Sequence, residues 1–100
     1  MLRFTLVALM ACTAVPALAD AEKTETCGYQ AQVVSAIQQA RLDRVKERNV
    51  EKTILASDPA WPANYSKAIP LITPWVYELP IKQVRDNDLS EIWNQNCLAQ

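Results

Sequence analysis

Residues 27–54 read CGYQAQVVSAIQQARLDRVKERNVEKTI, and the spacing of their apolar side chains decides the fold class. One group falls on a single helical face, within an arc of about 140°: Tyr29, Val33, Val34, Ile37 and Ala40. On the same helical wheel a second group lies opposite: Leu42, Val45, Val50 and Ile54. One straight helix would have to bury two opposed faces. The pattern therefore predicts two helices, over 27–41 and 46–56, joined by a turn or a kink at 42–45. Leu55 does not fit the second face.

The C-terminal helix is marked by its cap. Asp88 stands at a capping position, and Glu91 follows three residues later, as in a capping box. Apolar residues then recur on one stripe that we expect to be buried: Leu89, Ile92, Trp93 and Cys97. These signals predict a helix over 89–98.

Prolines divide the middle of the chain into short segments, at positions 59, 62, 70, 74 and 80. Proline cannot donate a backbone hydrogen bond and restricts the residue before it, so it tends to end helices. Residues 63–69 can form about two helical turns. Thr73 and Pro74 have the pattern of an N-cap and a first helical residue for a helix over 75–79. We therefore expect short helices joined at angles.

The first 19 residues have the composition of a cleavable export signal. Arg3 gives a positive start, an apolar stretch covers 4–15, and Pro16 precedes an A-x-A cleavage pattern at 17–19. This stretch is well short of the ~20 residues that span a bilayer. We expect cleavage after Ala19 and a periplasmic protein with no membrane span. An uncleaved anchor helix and lipidation at Cys12 are the weaker alternatives.

Cleavage after Ala19 would leave 81 of the 100 residues and two cysteines, Cys27 and Cys97. Residues 20–26 (DAEKTET) predict a mobile polar leader before a single domain over 27–100. An even cysteine count in a short exported chain predicts a disulfide. Since Cys27 would begin the first helix and Cys97 would end the last, the bridge would also set these helices antiparallel. The expected fold is all-α, a bundle of four to five short helices closed by this disulfide.

Composition excludes several classes of function. The chain has no histidine, which removes Ser-His-Asp and Cys-His nucleophile systems and His-ligated zinc. Its one glycine, Gly28, cannot build a phosphate-binding loop. The mature charge would be −2, from nine basic and eleven acidic residues, so nucleic-acid binding is not expected. The basic stretch over 41–52 is interspersed with acidic residues and predicts a solvated helix face.

No catalytic, cofactor or metal site is recognisable. Four carboxylates lie near one another in sequence and are the only acid–base candidates: Glu78, Asp86, Asp88 and Glu91. Asp88 and Glu91 are better explained as a helix cap, and the other two as surface residues. We therefore expect a protein that is not an enzyme and that holds no cofactor or metal ion.

Aromatic residues are the strongest candidates for a functional surface. Five fall within 33 residues: Trp61, Tyr65, Trp75, Tyr77 and Trp93. Most are expected to build the core, with one or two partly exposed. The candidate interaction surface consists of Trp61, Tyr65, Trp75 and Tyr77. Exposure is expected first for Trp61 and Trp75, because each lies next to a proline at a segment boundary.

The overall plan resembles the small helical periplasmic proteins with a single disulfide, among them the acid-stress chaperones. The shared features are the short signal, the size, and Thr26-Cys27 leading into a helix. Here the cysteines lie farther apart. Our first hypothesis is a non-enzymatic module that binds an unidentified periplasmic protein, as an accessory, inhibitory or immunity-type subunit. An acid-activated chaperone and a small-molecule carrier are the alternatives. The sequence indicates no oligomeric state.

Overall fold

The computed structural model describes residues 16–100. These residues form five α-helices and two short 3-10 helices, without a β-strand among them. The α-helices are α1 Pro16–Leu42, α2 Val50–Ala56, α3 Ile69–Glu78, α4 Ile81–Asp86 and α5 Leu89–Leu98. The 3-10 helices are Glu47–Asn49 and Ala63–Ala68. The predicted all-α fold is confirmed. Most of the predicted export signal, with Cys12, lies outside the described residues.

One disulfide closes the bundle between Cys27 and Cys97, whose Cα atoms are 5.7 Å apart. It joins α1 to the end of α5, as predicted. Cys27 is not at the start of the first helix, however, because the chain is already helical at Pro16, eleven residues earlier. Residues 17–26 contain no proline or glycine, and three Ala, two Glu, one Leu and one Lys among them favour helix. The predicted helix start at 27 was therefore wrong, and residues 20–26 are helical.

α1 and α5 lie side by side and antiparallel, as the disulfide predicted. Near the bridge, the Trp93 indole Nε1 donates to the Gln30 side chain at 3.0 Å. Farther along α1, the Leu89 backbone N–H donates to the Gln38 side chain at 3.3 Å. The first contact pairs residue 30 with 93 and the second pairs 38 with 89. Residue numbers thus increase along α1 as they decrease along α5, so the two helices run in opposite directions.

The break after α1 is a turn and not a kink. Arg44 adopts a left-handed conformation, with φ of 63°. The Val45 N–H donates to the Ala40 carbonyl at 2.9 Å, and the Arg44 N–H donates to the Arg41 carbonyl at 3.0 Å. These two bonds form a Schellman motif, in which glycine is the usual left-handed residue. The turn allows α1 and α2 to direct their separate apolar faces into one core.

Every α-helix contributes to the core, and both predicted faces reach it, except for Leu42 of the second face, which is exposed. α1 supplies five fully or nearly buried side chains: Cys27, Val33, Val34, Ile37 and Ala40. The remaining helices and loops supply the rest: Val50, Ile54, Trp61, Ile69, Ile72, Val76, Val84 and Leu89. Leu42 and Leu55 stay outside, at 37% and 46% exposure. The failure of Leu55 to fit the second face is thus explained by its place on the surface of α2.

α3 differs from the prediction, because Thr73 and Pro74 lie inside it and do not start a new helix. The helix continues because Ile69, Ile72 and Val76 recur at helical spacing and are all buried. Pro74 lacks the N–H that would bond to the Pro70 carbonyl, and its ring crowds that carbonyl, so its presence inside the helix is a local cost. The buried Thr73 hydroxyl donates to the Ile69 carbonyl at 2.6 Å. Tertiary packing therefore overrides the local signal for the start of a new helix at Thr73 and Pro74.

α5 spans the predicted residues and has the predicted cap. The Asp88 carboxylate accepts from the Glu91 N–H at 3.2 Å and from the Ser90 hydroxyl at 2.5 Å. These hydrogen bonds lower the pKa of Asp88. Leu89 is the one fully buried residue of this helix. The disulfide and the Trp93 bond therefore hold the C-terminal half of α5 in place.

α4 is a short helix that the sequence did not resolve separately. It follows Pro80, which stands at its N-cap. The side chain of Gln38 holds its C-terminal end: Nε2 donates to the Val84 carbonyl at 2.5 Å and to the Asn87 carbonyl at 2.7 Å. Gln38 thereby fixes the short link between α4 and α5.

Candidate functional site

The four residues of the predicted aromatic surface lie at four separate places in the fold. Trp61 belongs to the core, with 8% of its surface exposed. Its indole Nε1 donates to the Ser66 hydroxyl at 3.0 Å. The expected exposure of Trp61 is therefore wrong. The neighbouring Pro62 limits the backbone but does not determine where the indole ring lies. The ring packs in the core.

Tyr65 lies against α1. Its ring centroid is 5.0 Å from that of Tyr29, with the two planes tilted by 40°. Its hydroxyl donates to the Thr26 hydroxyl at 3.4 Å. The pair connects the 3-10 helix Ala63–Ala68 to the segment of α1 beside the disulfide.

Tyr77 forms a third, polar cluster with Arg41. The Arg41 guanidinium lies 5.4 Å from the Tyr77 ring centroid, within cation–π range. Arg41 also donates to the carbonyls of Val76 and Leu79, at 2.6 Å for the latter. These contacts satisfy carbonyls at the end of α3. Arg41 is half-buried, so it departs from the solvated face predicted for 41–52.

The hydroxyl of Tyr77 is part of the same cluster and donates to the Val45 carbonyl at 2.5 Å. Burial raises the pKa of Tyr77; Arg41 acts in the opposite direction, and Glu47 adds to the rise. The bond joins α3 to the turn after α1. This arrangement indicates a structural role for Tyr77.

Trp75 meets Trp93 at the surface, and this pair is the centre of the candidate site. The ring centroids are 5.7 Å apart and the planes are tilted by 50°, a favourable geometry for an aromatic pair. Both side chains are partly exposed. They open onto a cavity of about 280 Å³ that we call the tryptophan cleft. Its lining residues are Gln30, Trp75, Trp93, Asn96, Cys97 and Gln100.

The polar part of the tryptophan cleft consists of carboxamides. Gln30 accepts the Trp93 indole N–H through Oε1, which fixes the plane of its amide group. Its Nε2 remains as a donor. Asn96 and Gln100 are exposed, so their amide groups are accessible to a ligand. None of the lining side chains carries a formal charge, and the lining sulfur belongs to the disulfide.

Exposed apolar residues continue from the tryptophan cleft over the surface. Leu71 lies one helical turn before Trp75 on α3, and 79% of its surface is exposed. Ile92 lies one turn before Asn96 on α5 and is 40% exposed. The cleft therefore has an apolar rim on two helices.

Sequence reasoning placed Trp93 on a buried stripe and did not assign it to the surface. A signal was present nonetheless. Trp93 precedes Cys97 by four residues, and Gln30 follows Cys27 by three, so each shares a helical face with its cysteine. A bridge between the cysteines brings these faces together. Adding Gln30 and Trp93 to Trp75 would have identified the site.

Comparison with protein families, curated proteins and solved structures finds no match to this chain. Within residues 16–100, no helix has both the length and the apolar character needed to cross a membrane. The same part of the chain has no cluster of three or more His, Cys, Asp or Glu side chains suited to a metal ion. The tryptophan cleft is thus defined by geometry and side-chain chemistry.

Proposed function

We propose that this chain is an exported, non-enzymatic protein-interaction module that binds its partner through the tryptophan cleft and its apolar rim. The observation that carries the proposal is the Trp75–Trp93 pair, partly exposed at a cavity of about 280 Å³. Tryptophan is enriched among the residues that dominate binding energy at protein interfaces. Leu71, at 79% exposure, supplies further apolar area beside the pair.

The chemistry of the cleft supports binding without catalysis. Its side chains are carboxamides, indoles and a disulfide sulfur. None of them is a proton donor or acceptor with a pKa near neutrality, and none is an activated nucleophile. Such a site can hold a partner by apolar contact and neutral hydrogen bonds. An accessory, inhibitory or immunity-type role requires no more than this.

The test is a crosslinking pull-down of the tagged mature protein from its own periplasm, at pH 7 and at pH 3. Three forms are compared: the wild type, Trp75→Ala, and the control Leu55→Ala. Leu55 is an exposed leucine on α2, outside the tryptophan cleft. Circular dichroism verifies that each variant is folded.

We expect one dominant partner at pH 7, lost with Trp75→Ala and retained with Leu55→Ala. Equal capture by all three forms would contradict the proposal. Many clients appearing only at pH 3 would favour an acid-activated chaperone instead.

A further inference from the structure

We propose that the tryptophan cleft receives an uncharged peptide segment of the partner, with one bulky apolar side chain placed against Trp75 and Trp93. This inference rests on the proposed function and specifies the chemistry of the partner. It follows from three properties of the cleft: its size, its lack of charge, and the arrangement of its amide groups.

The size of the cleft limits its occupant. A standard interface buries about 800 Å² on each partner. A cavity of about 280 Å³ is slightly smaller than typical ligand pockets, which start at about 300 Å³. The cleft can therefore hold one large side chain with its flanking backbone, but not the face of a folded domain. A second copy of this chain that presented a folded face could contact the rim but could not enter the cleft.

The charge of the lining selects a neutral segment. None of the six lining side chains carries a formal charge. A charged side chain placed there would lose hydration and find no opposite charge in return. An apolar side chain loses no such hydration and gains contact with both indole rings.

The carboxamides match the amide groups of a peptide backbone. A peptide unit offers one N–H donor and one carbonyl acceptor, and a carboxamide offers the complementary pair. The Trp93 bond at 3.0 Å holds the Gln30 amide in one orientation, so this donor is positioned before binding. Asn96 provides a second amide group at the edge of the cleft.

The apolar rim favours a peptide over a sugar. Leu71 shares a helical face with Trp75, and Ile92 shares one with Asn96; the two are 79% and 40% exposed. Neighbouring side chains of a peptide can cover such residues, whereas the outer hydroxyl groups of a sugar would be placed against apolar carbon. The observations therefore point to a peptide segment.

The experiment uses N-acetyl-phenylalaninamide and N-acetyl-leucinamide, which carry one apolar side chain between two neutral amides. Indole N–H signals of the ¹⁵N-labelled mature protein are followed by NMR during titration. The protein has three tryptophans. Trp61 is the internal control, because it is buried and donates to Ser66 outside the cleft. Trp75→Phe and Trp93→Phe assign the other two signals.

We expect saturable shifts of the Trp75 and Trp93 signals, with a Kd in the millimolar range for so small a probe, and an unchanged Trp61 signal. Asn96→Ala should weaken binding by about two- to tenfold, since it removes one hydrogen-bonding group. Gln95→Ala is the matched control, because Gln95 is an exposed carboxamide of α5 that does not line the cleft. It should leave the Kd unchanged.

Other probes determine whether the inference fails. Equal binding of N-acetyl-glycinamide would show that no side chain is recognised, and equal binding of the N-acetyl-glutamate amide would refute the preference for neutral segments. Tighter binding of methyl glucoside would make the cleft a sugar site.

If Trp75→Ala abolishes partner capture while neither apolar probe binds, the peptide inference fails and the proposed function stands. If the probes bind but capture does not depend on Trp75, the proposed function fails alone.

Discussion

Removal of the disulfide should destabilise the domain strongly, and most of all at the end of α5. The bridge joins residues separated by 70 positions. In the chain-entropy treatment, a loop of this length restricts the unfolded chain by about 4 kcal/mol. Small domains are stable by only about 5–15 kcal/mol in total. The disulfide is therefore expected to supply a large part of the free energy of unfolding.

The assay is urea unfolding followed by circular dichroism. With a denaturant slope of ~1–2 kcal/mol per molar urea, the midpoint of Cys27→Ala/Cys97→Ala should fall by about 2–4 M. The wild type under a dithiol reductant is the control, because it keeps both sulfur atoms and loses only the bond. It should show a somewhat smaller decrease, because the buried sulfur of Cys27, which the alanine variant lacks, still packs in the core.

Hydrogen exchange adds a local test of the same prediction. Leu89 is the one fully buried residue of α5, and it lies at the N-terminal end of that helix. Without the bridge, backbone amides at 93–98 should exchange faster than those of α3. A midpoint decrease below about 0.5 M, or unchanged protection at 93–98, would refute the reasoning.

Three further substitutions test the packing around the turn after α1. Arg44→Gly should stabilise the protein, because glycine adopts positive φ without strain. We expect the free energy of unfolding to rise by about 0.5–1 kcal/mol and the Tm by roughly 2–8 °C. A lower Tm in a thermal scan would contradict this. Arg41→Met should cost about 1–2 kcal/mol in urea unfolding, since it leaves carbonyls at the end of α3 without their charged donor; an unchanged midpoint would show that water replaces it. Tyr77→Phe should cost about 1 kcal/mol at pH 7 by removing the hydrogen bond to Val45. Because burial raises the pKa of Tyr77 above 10.0, the wild type keeps this contribution below pH 10 and loses it as the pH rises through the raised pKa. The variant should therefore lose less stability than the wild type between pH 9 and pH 11, and equal losses would contradict the assignment.

Features with a local chemical cause could be predicted from the sequence. The bounds of α5 followed from the Asp88 cap and one apolar stripe, and the structure has the same bounds. The break at 42–45 followed from two opposed apolar faces that one helix could not bury. The disulfide and the antiparallel helices followed from the positions of two cysteines. The first two depend on neighbouring residues, and the third depends on a covalent bond for which only one pairing was available.

Features determined by distant packing could not be predicted. Pro74 has a strong local tendency to begin a helix, yet the burial of Ile72 and Val76 carries α3 through it. The indole of Trp61 is buried although its segment is bounded by proline. Arg41 was assigned to a solvated face, but it reaches carbonyls of α3 that are 35 and 38 positions away. Such contacts depend on how helices meet, which local patterns do not encode.

The candidate site was predicted in part. Trp75 was among the residues expected at a functional surface, and the structure places it in the tryptophan cleft. Its partners Gln30 and Trp93 come from α1 and α5, and only the disulfide register brings them together. Tyr65 and Tyr77 have separate structural contacts, with Tyr29 and Arg41 respectively.

Site-specific photo-crosslinking tests the central claim most directly. A photoreactive amino acid replaces Leu71, which shares a helical face with Trp75, or Leu55, on α2, and the protein is irradiated at pH 7 in the cells that express it. Both leucines are exposed, at 79% and 46%, so neither replacement should disturb the core. We predict a crosslinked partner from position 71, absent from position 55 and lost when Trp93→Ala is added. Equal crosslinking from both positions, or a product from 71 that persists with Trp93→Ala, would contradict the assignment of the tryptophan cleft as the binding site.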